Sequence, residues 1–193
     1  MESISGREVS NRPIDISTSD LIGEDFMALK KQMVVFKIGR EDFALDILRA
    51  KEVVVLRDIT PIPEAARCVE GVMNLRGNLV PVIDLRKRLR AAQADCEMEE
   101  RIIVVDIDGM LAGLIVDRAS ELIRVSESEI ENVPDLLTEI GASYLTGIIN
   151  QDGRYIGVID VGEALNGEIR CELSRVADAI DSRRRSSHTE MDT

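Results

Sequence analysis

Four aspartates are the residues of this sequence whose type could support catalysis. They are Asp84, Asp106, Asp117 and Asp160. A pair of carboxylates can act as general acid and general base when the fold brings the two together. However, Asp84 and Asp160 occupy equivalent places in two similar segments, and each precedes a short helical pattern whose first amides a carboxylate can cap. Helix capping therefore explains these two residues better than catalysis does.

Metal binding and nucleophilic catalysis are also disfavoured. The only histidine is His188, and Cys68, Cys96 and Cys171 are widely spaced, whereas zinc sites need close cysteine pairs or histidines. The segment Asp106–Gly109 resembles part of a calcium loop but lacks the later acidic ligands. The sequence contains no glycine-rich phosphate-binding motif. We expect no metal site, no cofactor, no disulfide and no enzymatic activity.

The elements that would position a site form an internal repeat. Residues 71–89 align without a gap with residues 147–165, and seven of nineteen positions are identical. Residues 49–54 resemble residues 118–123 in the same way. The chain is therefore predicted to contain two copies of one β-rich unit.

Each copy is predicted to consist of short strands joined by tight turns. Asp108-Gly109 separates two apolar runs, and both residue types tolerate the positive φ of a type I′ turn. Asp152-Gly153 and Arg76-Gly77 stand in the same context, although arginine is a less usual turn residue. Three β-hairpins are predicted.

Helices and chain ends complete the predicted organisation. Short helices are expected after Asp84 and after Asp160, and the apolar residues that follow Gly167 fall on one face of a further helix. The predicted segments are a flexible N-terminus (1–31), a main domain (32–167) with repeat units at about 33–90 and 101–166, a C-terminal helix (168–182) and a flexible tail (183–193).

Composition and charge exclude several classes of binding partner. The net charge is −12, so nucleic acid and anionic membrane surfaces would repel this protein. No apolar stretch approaches the roughly 20 residues that span a bilayer, and the N-terminus lacks the apolar core of a signal peptide. We expect a cytoplasmic protein that binds no nucleic acid and does not insert into membranes.

Several motifs resemble one known family in the same order. The sequence is similar to the CheW-like domain of bacterial chemotaxis coupling proteins across residues 33–166. The segments that carry the resemblance are Phe43–Val54, Ile59–Pro63, Glu70–Val72, Asn74–Gly77, Pro81–Leu85, Ala112–Ile123 and Tyr144–Ile148. The resemblance implies an all-β fold of two five-stranded SH3-like barrels. It also implies a non-enzymatic adaptor that couples methyl-accepting chemoreceptors to the histidine kinase CheA within membrane receptor arrays.

The resemblance also implies two binding surfaces. The positions implied for kinase binding are Val34, Ile47, Ala50 and Val53, and those implied for receptor binding are Gly71, Arg76, Ala119 and Leu122. The apolar pattern alone would instead place the kinase-binding positions in the core, because alternating strand residues bury one face. Arg76 could either hold the shape of the seam between the barrels or contact the receptor. An alternative function is a CheW-like regulatory module of another chemosensory pathway, which would govern surface motility or gene expression.

Overall fold

The protein is built almost entirely from β-strands. The structure, a computed structural model, describes residues 30–89, 100–139, 142–165, 167 and 169–176. The strands in these residues are β1 Lys31–Ile38, β2 Glu41–Asp46, β3 Ala50–Val55, β4 Val69–Leu75, β5 Asn78–Asp84, β6 Arg101–Ile107, β7 Met110–Val116, β8 Arg118–Val125, β9 Ile130–Glu131, β10 Leu145–Gln151 and β11 Arg154–Ile159. The short helices are α1 Leu85–Leu89, α2 Asp135–Glu139 and α3 Val161–Ala164, with a 3-10 turn at Glu127–Glu129.

The three predicted hairpins are confirmed. Their turns have positive φ at both central residues, with values of 51° and 87° at Arg76-Gly77, 52° and 88° at Asp108-Gly109, and 53° and 84° at Asp152-Gly153. In each turn the glycine amide donates a hydrogen bond to an Asn or Asp side chain three residues earlier, at 2.8–3.0 Å. A fourth hairpin joins β1 to β2 and was not predicted. Its turn has positive φ at Gly39 alone, as in a type II′ turn.

The strands form two SH3-like barrels that exchange strands between the sequence repeats. Barrel A has the strand order β8-β1-β2-β11-β10-β9, and barrel B has the order β3-β6-β7-β5-β4. The third strand of each repeat, β3 or β8, pairs with the first strand of the other repeat, β6 or β1. Each barrel therefore combines the first two strands of one repeat with the later strands of the other. The predicted repeat units, 33–90 and 101–166, therefore differ from the barrels, since the chain crosses between sheets after β2 and after β7.

The apolar residues form three layers. One layer fills barrel A, with Met33, Val35, Ala44, Ile123, Val125, Ile149, Ile156 and Val158. A second fills barrel B, with Val54, Met73, Leu75, Val80, Val82, Ile102, Val104 and Ile115. The largest lies between the barrels and includes Phe36 and Phe43, whose rings stack with centroids 6.1 Å apart. We call this layer the inter-barrel core. Strands β1 and β6 are buried on both faces, which explains their unbroken apolar runs.

The helices close the ends of the repeats. Asp160 caps α3 as predicted, because its side chain accepts a hydrogen bond from the Glu163 amide at 3.0 Å. Residues 169–176 are helical, and Ile169 and Leu173 lie in the inter-barrel core. The rest of the predicted C-terminal helix and the tail lie outside the described residues. Of the predicted N-terminal segment only residues 30 and 31 are described, and Lys31 already begins β1.

Candidate functional site

The four candidate aspartates are all engaged in structural contacts. Asp106 accepts a hydrogen bond from the turn amide of Gly109 at 2.8 Å, and Asp160 caps α3. The fold brings Asp84 and Asp117 together, and Arg86 lies between their carboxylates at 2.8 and 3.1 Å. The hydrogen bonds that Arg86 donates to Asp84 raise the pKa of the Arg86 guanidinium. Both carboxylates thus hold one guanidinium, and this structural contact accounts for them without a catalytic role.

Gly71 is required by a close approach of two backbone segments. It lies at a β-bulge in β4 with φ of +145°, and an added Cβ would stand 2.1 Å from the carbonyl oxygen of Thr60. Thr60 and Val72 pair through two backbone hydrogen bonds of 2.8 and 2.9 Å beside this glycine. The role of Gly71 at this site is therefore to let the loop before β4 pair against the strand.

Arg76 projects from the β4–β5 turn into solvent. Its side chain is 77% exposed, and its Nη2 donates to the Glu52 carboxylate of β3 at 2.9 Å. The turn itself is held by Asn74 and the positive φ of Gly77, so its conformation does not depend on the guanidinium. Arg76 is therefore an exposed cation on a well-defined turn, with donors left for a partner, since a guanidinium carries five N–H groups.

A β-bulge in β8 brings Ala119 and Leu122 to the same side of the sheet. Residues three apart face opposite sides of a regular strand, but the β1–β8 register shifts between Val35 and Phe36. As a result, Leu122 lies opposite Val34 and Ala119 lies opposite Phe36. Both partners belong to the inter-barrel core, so the pair lies at the edge of that core, with Leu122 49% exposed.

The equivalent strand β3 repeats this arrangement with buried side chains. Its register with β6 shifts between Ala50 and Glu52, so Ala50 and Val53 both face the inter-barrel core. Ala50, Val53, Ile47 and Val34 are only 3–8% exposed. The structure therefore brings these four predicted kinase-binding positions together within one layer, as alternation of buried residues also predicted. Their role in kinase binding stays a prediction.

An exposed leucine beside these positions was missed by the sequence reasoning. Leu48, in the crossover between β2 and β3, is 74% exposed and follows the buried Ile47. Asp46 fixes the crossover by accepting the Leu48 amide at 2.9 Å. The family resemblance drew attention to Ile47 and Ala50, and no apolar periodicity distinguishes Leu48 from them. Its exposure depends on the turn, which the sequence pattern did not reveal.

A second arginine organises the surface next to β8. Arg154 of β11 donates two hydrogen bonds of 2.9 Å to Asp42 of β2 and also contacts Glu121 of β8. The hydrogen bonds from Arg154, helped by Lys37 at 2.8 Å, hold the pKa of Asp42 below its ordinary value. These ion pairs join four strands of barrel A, β1, β2, β8 and β11. They orient Glu121, which lies beside Leu122 on the same strand.

Neither a metal-binding cluster nor a membrane-spanning helix is found among the described residues. Within residues 30–89, 100–139, 142–165, 167 and 169–176, no group of three or more His, Cys, Asp and Glu side chains is arranged to hold a metal ion. Over the same residues, no helix is both long enough and apolar enough to cross a membrane.

Two packed SH3-like barrels that expose apolar and charged side chains such as Leu122 and Arg76 define a protein-binding module. A family model described as the CheW-like domain matches residues 32–168, which include all eight predicted binding positions. The chain belongs to the CheW-like family.

Named relatives and a solved structure support this assignment. The chemotaxis protein CheW of Treponema pallidum is 33% identical over 150 residues, which cover 76% of this chain and 86% of the relative. The chemotaxis protein CheW of Bacillus subtilis is 33% identical over 138 residues, covering 72% and 88%. The crystal structure of the scaffolding protein TtCheW from Thermoanaerobacter tengcongensis is similar with a TM-score of 0.68 and 36% identity, covering 77% of this chain and 96% of that one.

Proposed function

We propose that this protein is a non-enzymatic scaffold that couples methyl-accepting chemoreceptors to a CheA-type histidine kinase in bacterial chemotaxis. The observation that carries the proposal is that the whole two-barrel fold, rather than one motif, matches a scaffolding protein. Relatives named chemotaxis proteins favour this function over the alternative of another signalling pathway. Since the candidate catalytic aspartates cap, anchor or pair with basic residues, the protein acts by binding alone. It would work on the cytoplasmic side of receptor arrays.

The receptor surface is proposed to combine the β4–β5 hairpin with β8. Arg76 presents a guanidinium on a rigid turn, and Leu122 presents a half-exposed apolar side chain. A guanidinium and an exposed apolar side chain on one protein suit an amphipathic receptor helix with carboxylates along one flank. Ala119 is small, which allows the partner to approach the edge of the inter-barrel core. Gly71 contributes by shaping the strand rather than by contact.

The kinase surface is proposed to centre on the β2–β3 crossover. Leu48 is the exposed apolar side chain there, and the buried Ile47, Ala50 and Val53 support the backbone that carries it. Exposed apolar anchors supply much of the energy of protein interfaces. Leu48 lies in the β2–β3 crossover, whereas Arg76 lies in the β4–β5 turn and Leu122 lies in β8.

Separate binding measurements test the proposal. Isothermal titration calorimetry should detect binding of a receptor signalling fragment and of the kinase regulatory domain to the wild-type protein. Arg76→Asp should weaken receptor binding and leave kinase binding unchanged. Asp152→Arg is the matched control, because it changes charge at the equivalent turn of barrel A. Absence of binding to both partners would refute the scaffold function, and equal effects of the two variants would refute the role of Arg76.

A further inference from the structure

Asp117 is the one residue between β7 of barrel B and β8 of barrel A. It is 1% exposed. Its backbone amide donates to the Lys37 carbonyl at 3.0 Å, and its Oδ2 accepts the Gly39 amide at 2.6 Å. Both contacts are made to the β1–β2 hairpin. The crossover is therefore hydrogen-bonded to barrel A through the backbone amide and Oδ2 of Asp117.

The other carboxylate oxygen of Asp117 is fastened to barrel B. Its Oδ1 accepts Arg86 Nη1 at 3.1 Å. Arg86 lies in α1, directly after β5, and Asp84 of β5 holds the same guanidinium through Nε at 3.0 Å and Nη2 at 2.8 Å. Glu100, immediately before β6, also accepts from Arg86 Nη1. One guanidinium and three carboxylates thus form a cluster that bridges the two barrels.

The cluster provides directional contacts that the inter-barrel core cannot. Apolar burial is non-directional, and it supplies the attraction that holds the two barrels together across the inter-barrel core. Hydrogen bonds between buried charged groups depend strongly on geometry and are costly to leave unmade. The contacts of Asp117 with Gly39 and Arg86 therefore define how barrel A sits on barrel B.

We propose that Asp117 and Arg86 are positioning residues that set the two parts of the receptor surface relative to each other. Strand β8, which carries Ala119 and Leu122, begins at the residue after Asp117. Strand β5 leads from the turn of Arg76 to Asp84, the main partner of Arg86. The cluster joins these two strands through two side chains. The inference rests on the proposed receptor-binding function for its consequence, but not for the geometry.

The variant Asp117→Asn separates the two contacts. A carboxylate offers one oxygen to the Gly39 amide and one to Arg86, whereas an amide has a single oxygen and would turn its NH₂ group toward the other donor. The single oxygen should stay on the charged Arg86, since charge-assisted hydrogen bonds are stronger, and the contact with the Gly39 amide is then lost. Arg86 remains neutralised by Asp84 and Glu100, so the variant should fold. Arg86→Lys is a second variant, since lysine keeps the charge but lacks the planar fork that reaches both sides.

The orientation of the barrels can be measured by residual dipolar couplings of the backbone amides. In the wild type, one alignment tensor should fit both barrels. In Asp117→Asn and Arg86→Lys, separately fitted tensors should diverge, and the Gly39 amide should exchange faster in Asp117→Asn. The matched control is Asp42→Asn, which loses one of the two hydrogen bonds with Arg154 within barrel A alone and should leave one tensor sufficient.

Receptor binding is measured on the same proteins. Variants with divergent tensors should lose roughly tenfold in receptor affinity, within the range of coupling reported for non-contact residues. A single tensor in both folded variants would overturn the proposal, and so would unchanged receptor affinity despite divergent tensors. If Asp117→Asn unfolds, Arg86→Lys decides the matter. If the wild type binds no receptor, the proposed function fails, while the tensors still decide whether the cluster positions the barrels.

Discussion

Gly71→Ala tests whether Gly71 allows the backbone of the segment that contains Thr60 to approach β4 closely. An alanine Cβ at this position would lie 2.1 Å from the Thr60 carbonyl oxygen, 2.7 Å from the Thr60 carbonyl carbon and 2.9 Å from Pro61 Cα. All three are backbone atoms, so no side-chain rotation relieves the clash. The segment that contains Thr60 must move away from β4.

This movement lowers the free energy of unfolding, because it breaks hydrogen bonds and leaves a strained backbone. The two hydrogen bonds between Thr60 and Val72 contribute about 1 kcal/mol each. The backbone strain of a non-glycine residue at φ of +145° adds about 1–3 kcal/mol. The free energy of unfolding should therefore fall by about 3–5 kcal/mol, a large part of the about 5–15 kcal/mol of an ordinary domain.

Gly77→Ala is the matched control for this measurement. Gly77 lies in the same hairpin with φ of +87°, but an added Cβ there would meet nothing within 4 Å. Only backbone strain remains, about 1–2 kcal/mol. Urea unfolding of the two variants should give clearly different midpoints with similar m-values. Equal destabilisation by the two alanines would refute the close-approach explanation.

The remaining predictions concern the surfaces and the pH dependence of stability. Ile47→Asp should lower the free energy of unfolding by about 3 kcal/mol or more in urea titrations, because Ile47 is buried. Leu48→Asp should fold normally and lose kinase affinity in calorimetry, because Leu48 is exposed. Normal folding of both variants would contradict the assignment of Ile47 to the core. Arg76→Asp should lower the free energy of unfolding by less than about 1 kcal/mol, since it removes an exposed ion pair, yet weaken receptor binding; a large loss of stability would show a structural role instead. Arg154 keeps the folded-state pKa of Asp42 below its ordinary value of 3.8. The ionised Asp42 therefore stabilises the folded protein at pH values above 3.8, and this stabilisation is lost as the pH falls through the folded-state pKa. The stability of Asp42→Asn should accordingly fall less steeply in acid than that of the wild type, and identical pH profiles would contradict the shift.

Local features of the fold were predictable because each depends on neighbouring residues. The Asp-Gly and Arg-Gly turns require positive φ, and glycine with a short polar or tolerant neighbour supplies it. The cap at Asp160 needs only a carboxylate and amides three residues away. The internal repeat was visible from identical turn residues. These signals placed most strands and the start of α3.

The exchange of strands between the repeats was not predictable from the same signals. A strand that pairs within its own repeat and one that pairs with the other repeat have the same alternation of residues. The crossovers after Asp46 and at Asp117 decide which barrel the next strand joins. Their long-range contacts, from the Ile47 amide to the Gln32 carbonyl and from the Gly39 amide to Asp117, are made only in the folded protein. Sequence similarity between repeats thus indicated two units but not which barrel each strand joins.

The candidate binding positions show the same limit. Leu122 and Val53 occupy equivalent bulged strands, yet one is half exposed and the other buried. A bulge changes which residues share a face, and alternation along the sequence does not reveal it. The family resemblance identified the region of these surfaces. The exposed side chain at the β2–β3 crossover, Leu48, became evident only from the turn geometry.

The most direct test of the scaffold function is receptor-controlled kinase activity in a reconstituted array. Membranes that carry chemoreceptors are mixed with the CheA-type kinase, with and without this protein, and kinase autophosphorylation is followed over time. We predict that the kinase responds to receptors only when the wild-type protein is present, and that Arg76→Asp and Leu48→Asp each abolish the response while the Asp152→Arg control retains it. A full receptor response without this protein, or no response with it, would contradict the proposal that it couples the two.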